Sequence, residues 1–278
     1  MDSEIFPPIP SDTSKVALAV FERSNFYITL GDQANKLLDG WSWDGQPLTG
    51  NLANRSQAML YLITIFQMIE TLPDQSAAEA VHNRVDWKYA LHLPLNYPGQ
   101  EPSIFCEFRQ WLVGDPHREQ QLEALRIRVN EIMAASDSPG PGLGNQHALS
   151  HICLISRVSE IYEYVSLVLE TLATRKPELL RTISLPHWYK RYNQFQKKSI
   201  PNLEPPHLEA LANAMGWDIY HLLKSISTSE LNSLAGQPEI AALKQVWWEQ
   251  YSYNQGQLTW NNNNCAHCSL SFSPGKFL

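Results

Sequence analysis

The strongest constraint on the fold is the helical periodicity of the apolar residues. After residue 146 they recur every three or four positions, at Ile155, Val158, Ile161, Tyr162, Val165, Leu169 and Leu172. This spacing places them along one face of a single helix. A similar pattern runs from Met59 to Ile69 and ends before Pro73. Alternation of apolar and polar residues with a period of two is almost absent, so we predict an all-α fold with little or no sheet.

Capping and breaking residues predict where further helices begin and end. Ser76 and Glu79 have the spacing of a capping box, which predicts a helix from there to about residue 91. Gly216 is predicted to end a helix that starts at about residue 206. The remaining predicted helices cover 103–113, 118–134, 217–226 and 238–251.

A stretch rich in proline and glycine predicts the division into domains. Residues 135–146 read ASDSPGPGLGNQ, a composition typical of a linker. The first fifteen residues are polar and contain several prolines. We therefore predict a flexible tail over 1–15, a helical domain over 16–134, a linker over 135–146, a second helical domain over 147–255 and an irregular tail over 256–278.

The overall charge opposes DNA binding, but its distribution is uneven. The 278 residues include 21 basic and 28 acidic side chains, for a net charge of −7. Phosphate binding depends on lysine and arginine. Residues 175–198 carry seven basic side chains and a single acid, Glu178, and aromatic residues alternate with the cations.

That basic segment has two interpretations. Cations interleaved with aromatic rings suit contact with a nucleic-acid backbone together with some base stacking. On this hypothesis the contacting side chains are Lys190, Arg191, Lys197 and Lys198. The alternative is a solvated basic loop whose aromatic residues fill the edge of a helical bundle.

A second candidate DNA-binding element is the helix predicted over 103–113. On a helical wheel, Arg109 and Gln110 face away from its apolar side. Arginine and glutamine are residue types that read base edges. Together with the preceding helix they predict a helix-turn-helix, although the connecting turn is long for that motif and a plain helical bundle is the alternative.

Four segments carry a resemblance to a known family. They are ALAVFERSNFY at 17–27, VDWKYALHLPL at 85–95 with PSIFCEFRQWL at 102–112, LPHWYKRY at 185–192, and VWWEQY at 246–251. In this order they resemble bacterial insertion-sequence transposases of the DDE class. The resemblance implies an InsH-type N-terminal domain over 16–134 and a helical insertion-type domain over 147–255.

The resemblance also implies that the catalytic core of that family is missing. In the family, three carboxylates of a ribonuclease-H-like core hold two metal ions. The first Asp lies in a pattern that aligns here with residues 147–151, where Ala148 takes its place. The rest of the core is expected from about residue 272. We therefore expect no enzyme activity, no catalytic residues and no cofactor.

These observations lead to one leading hypothesis for function. It is a transposase-derived, nuclease-inactive protein that binds transposon ends or regulates transcription, with DNA as its partner. The alternatives are a helical module that forms homodimers or joins a full-length transposase, and a decaying fragment. The longest apolar stretch is too short for a membrane span, so a cytoplasmic protein is expected, associated with the nucleoid if it binds DNA.

Near the C-terminus, two cysteines with a histidine between them have the spacing of half a zinc site, in the sequence Cys265-Ala-His-Cys268. A second pair of ligands does not follow them in the sequence. We therefore expect an irregular tail that holds no metal.

Overall fold

The computed structural model describes residues 6–38, 48, 56–113, 115–135, 148–228 and 237–261. These residues are mostly helical, which confirms the predicted all-α fold. The helices are α1 (Ser11–Val20), α2 (Phe26–Leu37), α3 (Gln57–Glu70), α4 (Asp74–Asn83), α5 (Val85–Ala90), α6 (Pro102–Val113), α7 (Pro116–Ala135), α8 (Ala148–Arg175), α9 (Pro177–Ile183), α10 (Trp188–Arg191), α11 (Gln194–Ser199), α12 (Pro205–Thr228) and α13 (Pro238–Gln250). A short 3₁₀ turn, Ile200–Asn202, follows α11.

The chain divides into two compact units, Met1–Ile152 and Cys153–Leu278. The boundary falls within α8 rather than in the predicted linker, whose residues 136–146 lie outside the described part of the chain. None of the described helices is long and apolar enough to cross a membrane.

The core of the first unit is built around α3. Its residues 58–69 are all buried, so this helix is enclosed on every side. The Ser56 hydroxyl accepts a hydrogen bond from the Met59 amide at the N-terminus of α3, and Thr71 ends the helix in a left-handed conformation. Helix α2 packs closely on α5, where Gly31 is needed because an added Cβ would lie 2.7 Å from the Tyr89 ring.

The predicted flexible tail over 1–15 is wrong for the residues that the structure describes. Phe6 is buried in the core of the first unit, and α1 already begins at Ser11. The Thr13 hydroxyl is buried and donates to the Leu93 carbonyl at 2.8 Å. Tertiary contacts therefore order a segment whose composition suggested a loose end.

The helix predicted over 76–91 is two helices. The first begins at Asp74 after Pro73, and Ser76 is not its cap. Arg84 then adopts an extended backbone and separates α4 from α5. This break directs the Arg84 guanidinium towards Glu70, 2.6 Å away, and Asp86, 2.7 Å away.

The second unit packs α8, α12 and α13 around one apolar core, into which the predicted stripe of α8 is buried. Helix α12 continues through Gly216, so the predicted helix end at that glycine is wrong. An added Cβ at Gly216 would lie 2.7 Å from Cδ1 of Tyr251 and 2.9 Å from Cδ2 of Leu258. The glycine therefore permits a close approach of the chain that follows α13.

That following chain is a hairpin of two antiparallel strands, β1 (Tyr251–Asn254) and β2 (Gln257–Trp260). Gln255 and Gly256 both have positive φ, as in the two-residue turns that fit the twist of a hairpin. Helix α12 contacts β2, and the Trp260 amide donates to the Asn213 side chain at 2.9 Å. The tail predicted to be irregular from residue 256 thus includes the last turn residue and strand β2 of this hairpin, which helix-pattern reasoning missed.

Candidate nucleic-acid interface

The basic segment of the second unit is organised by one buried carboxylate. Asp218 of α12 has a side chain that is 4 % exposed. Its Oδ1 lies 2.9 Å from Nε2 of His187, and its Oδ2 accepts hydrogen bonds from the Arg191 guanidinium and, at 2.8 Å, from the Tyr192 hydroxyl. A buried carboxylate requires such donors, because the protein interior replaces its hydration shell.

The chemistry of Tyr192 reflects this arrangement. Burial of the phenol, and then the negative charge of Asp218, raise its pKa well above the ordinary value. The hydroxyl therefore keeps its proton and remains a donor to the carboxylate. We call His187, Arg191, Tyr192 and Asp218 the Asp218 cluster. It fixes α10 to α12.

The three aromatic residues of the segment whose side chains the structure describes fall into two groups. Trp188 is buried in the core, and its ring lies edge-on to His221 at 5.9 Å. Tyr192 packs near the Tyr162 ring, whose hydroxyl donates to the Asn193 carbonyl at 2.7 Å. For these residues the aromatic rings do fill the edge of the bundle. Tyr189 differs, because 87 % of it is exposed.

The four cations proposed from the sequence have different environments. Lys190 and Lys198 are exposed, and neither forms an ion pair within the described residues. Lys197 pairs with Glu163 at 2.6 Å, with both side chains more than 40 % exposed. Arg191 is bound to buried Asp218 and is 21 % exposed. Two of the four are thus exposed with no ion pair in the described part of the chain, the third is exposed in a surface ion pair, and the last is fixed in the Asp218 cluster.

The orientation predicted for Arg109 is wrong. Its side chain is 1 % exposed and forms two 2.6 Å hydrogen bonds with the Asp74 carboxylate, across α6 and α4. Gln67 of α3 donates to the same carboxylate at 2.9 Å. Base reading requires a side chain on the surface, and this guanidinium is inside the first unit. Gln110 is half-buried, and its side-chain amide approaches Cys106 Sγ at 3.5 Å.

The helical wheel placed Arg109 away from the apolar side of the helix, but an ion pair with Asp74 keeps its side chain buried. Arginine is rarely fully buried unless a partner neutralises it. The partner, Asp74, lies 35 residues earlier in the chain. Sequence spacing does not reveal such a pair.

A second ion-paired cluster lies in the first unit and was also missed. Arg84 bonds Glu70 and Asp86, and its guanidinium lies 5.2 Å from the centroids of both the Tyr27 and the Trp87 rings. The Tyr27 hydroxyl and the Trp87 ring N–H both donate to Glu70. Burial, followed by the Glu70 charge, raises the Tyr27 pKa. The cluster joins α2, α3 and α5, and its partners satisfy one another.

Metal binding receives no support from the part of the chain that is described. No group of three or more His, Cys, Asp or Glu side chains within it could hold a metal ion. Cys265 and Cys268 lie outside the described residues.

Comparison with known proteins adds no family assignment. No protein-family model, curated protein or solved structure matches this chain.

Proposed function

We propose that this is a transposase-derived DNA-binding protein whose second unit holds the phosphate backbone through Lys190 and Lys198. The observation that carries the proposal is the exposure of these two lysines: Lys190 lies on α10, which the Asp218 cluster fixes to α12, and Lys198 lies on α11, the next helix along the chain. Tyr189, almost fully exposed beside Lys190, offers a ring to the same ligand. A held segment loses less conformational freedom on binding than a loose basic loop would.

Lys197 is the third expected contact. Its ion pair with Glu163 is solvent-exposed on both sides, and such pairs contribute about 0–1 kcal/mol. A phosphate oxygen can therefore replace the carboxylate at little cost. Arg191 is excluded from the contact set, because leaving Asp218 would strand a buried carboxylate.

The negative net charge does not oppose a local site of this kind. Charges on other parts of the surface are screened over a Debye length of about 8 Å at physiological salt. Within the segment, the single acid, Glu178, forms a solvent-exposed ion pair with Arg181 at 2.5 Å. We expect weak binding that depends strongly on salt.

The proposal includes no DNA cleavage. Ala148 occupies the position of the first catalytic Asp in the family that the sequence resembles. A methyl side chain cannot ligate the metal ions of that chemistry.

Salt dependence provides the test. Each phosphate contact contributes about 0.9 to the slope of log affinity against log salt on duplex DNA. Two or three contacts by Lys190, Lys197 and Lys198 predict a slope of roughly −2 to −3. Fluorescence anisotropy with a labelled duplex, from low to physiological salt, measures this slope for the full chain.

Paired variants locate the contacts. The double variant Lys190→Ala with Lys198→Ala should weaken binding to every duplex sequence and bring the slope to roughly −1 or shallower. The matched control is Lys15→Ala with Lys36→Ala, two exposed lysines of the first unit, which should leave the slope unchanged. Undetectable duplex binding at low salt refutes the proposal. Equal effects of the two double variants would refute this location.

A further inference from the structure

A column of aromatic rings runs from the core of the second unit to its surface. The column consists, in order from the surface, of Tyr253, Tyr220, Trp247 and Tyr251. The centroids of successive rings are 5.1, 6.2 and 6.3 Å apart. Adjacent ring planes differ by only 25°, 30° and 26°. Tyr251 at the inner end is 4 % exposed, whereas Tyr253 at the outer end is 45 % exposed. The column therefore ends in an aromatic ring at the surface.

Trp217 stands perpendicular to the outer end of this column. Its ring makes an interplanar angle of 87° with both Tyr220 and Tyr253, at 5.9 and 6.2 Å. Trp217 is itself 43 % exposed. The Tyr253 ring and the perpendicular indole are both nearly half exposed, and we call this pair of rings the aromatic corner.

The two inner rings of the column are hydrogen-bonded to the backbone of α12. The Trp247 ring N–H donates to the Gly216 carbonyl at 3.1 Å, and the Tyr251 hydroxyl donates to the Ala212 carbonyl at 2.7 Å. Both acceptors belong to α12, the helix that also carries Trp217 and Tyr220. Rigid aromatic side chains lose little conformational entropy when a ligand stacks on them.

A cation lies beside the corner. Lys224, one helical turn after Tyr220, places its Nζ 5.9 Å from that ring centroid. The hydrogen bond with Tyr220 raises the pKa of the Tyr253 hydroxyl, and the nearby positive charge of Lys224 opposes that increase. A flat stacking surface next to a positive charge matches a nucleotide, which joins a planar base to an anionic phosphate.

We propose that the aromatic corner receives an unpaired base of single-stranded DNA, with Lys224 close to the adjoining phosphate. This inference rests on the proposed DNA-binding function and deepens it. The ligand must be unpaired, because within a duplex both faces of a base are covered by its neighbours. Such stacking tolerates any base, since every base has a π-face. Binding at this corner is therefore expected to show little sequence preference.

The test compares single-stranded and duplex DNA on the same protein. Single-alanine variants of Trp217 and Tyr253 should each weaken binding of a labelled thymidine oligonucleotide roughly 5- to 150-fold. Duplex affinity should stay within about twofold, because the duplex contacts lie on Lys190 and Lys198. Both substituted side chains are nearly half exposed, and circular dichroism of each variant verifies that it folds.

Conservative variants separate stacking from other effects. Tyr253→Phe keeps the ring and should bind the oligonucleotide like the unchanged protein. Lys224→Ala should reduce the salt slope on single strands by roughly 0.7, the value for one phosphate contact.

The possible outcomes distinguish this inference from the proposed function. If duplex binding depends on Lys190 and Lys198 but Trp217→Ala leaves the affinity for single strands unchanged, the inference about the aromatic corner is refuted and the proposed function stands. If neither form of DNA binds, both proposals fail. A third outcome is that Trp217→Ala converts a dimer to a monomer in sedimentation without changing single-strand affinity, which would assign the corner to a second copy of the chain and overturn the inference.

Discussion

Replacing Arg109 by alanine should lower the free energy of unfolding of the first unit and leave the recognition of DNA sequence unchanged. The guanidinium is 1 % exposed and makes two 2.6 Å bonds to Asp74, whose side chain is 12 % exposed. Removing one partner of a buried ion pair typically costs 3–5 kcal/mol, because the other charge remains buried without compensation. Gln67 still donates to Asp74, so we expect a loss of about 3 kcal/mol, near the lower end.

Urea denaturation of the full chain measures this loss. Hydrogen exchange of peptides from α4 and α6 reports the first unit separately, which is needed because a chain with two units need not unfold in one step. Gln110→Ala is the matched control: it changes the adjacent, half-buried residue and should cost less than about 1 kcal/mol.

A compensating variant tests the mechanism itself. Combining Arg109→Met with Asp74→Asn removes both charges and keeps an acceptor for the Gln67 amide. At least half of the lost stability should return, because the uncompensated charge is gone. Two results would refute the reasoning: a loss below about 1 kcal/mol for Arg109→Ala, or normal stability with reduced affinity for one specific DNA sequence.

Three further predictions follow from other contacts. Gly216→Ala should destabilise the second unit, because the added Cβ would overpack against the Tyr251 ring. Overpacking costs up to about 3 kcal/mol, which outweighs the gain of about 1 kcal/mol in helix propensity. An unchanged melting temperature would contradict this prediction. Asp218→Ala should remove hydrogen-exchange protection from α10 because Arg191 loses its acceptor, and unaltered exchange there would argue against the Asp218 cluster. Burial, with the hydrogen bond to Asp32, raises the pKa of Tyr89 to about 12, so the folded state favours the neutral phenol. That stabilisation is complete below about pH 10 and is lost as the pH rises towards 12. When the pH is raised from 9 to 11, the urea midpoint of Tyr89→Phe should therefore fall less than that of the unchanged protein.

Local patterns were sufficient for much of the helical framework. The stripe that begins at Ile155 is buried in α8, and α6 and α7 lie within about two residues of their predicted bounds. These predictions succeeded because a helix repeats every 3.6 residues and its apolar face is visible within one short window. The basic composition of 175–198 likewise identified the segment that carries the exposed Lys190 and Lys198.

The tertiary structure alone decided which chemical role each side chain has. Arg109 is inside because Asp74 and Gln67, distant in sequence, meet it there. Arg191 is fixed and Lys190 is exposed, although they are neighbours, because Asp218 lies beside only one of them. Helix periodicity describes a residue's position on its own helix. Burial, ion pairing and the stacking of rings from separate elements depend on which other residues the fold brings within a few ångströms. A single sequence does not state which distant residues become such neighbours.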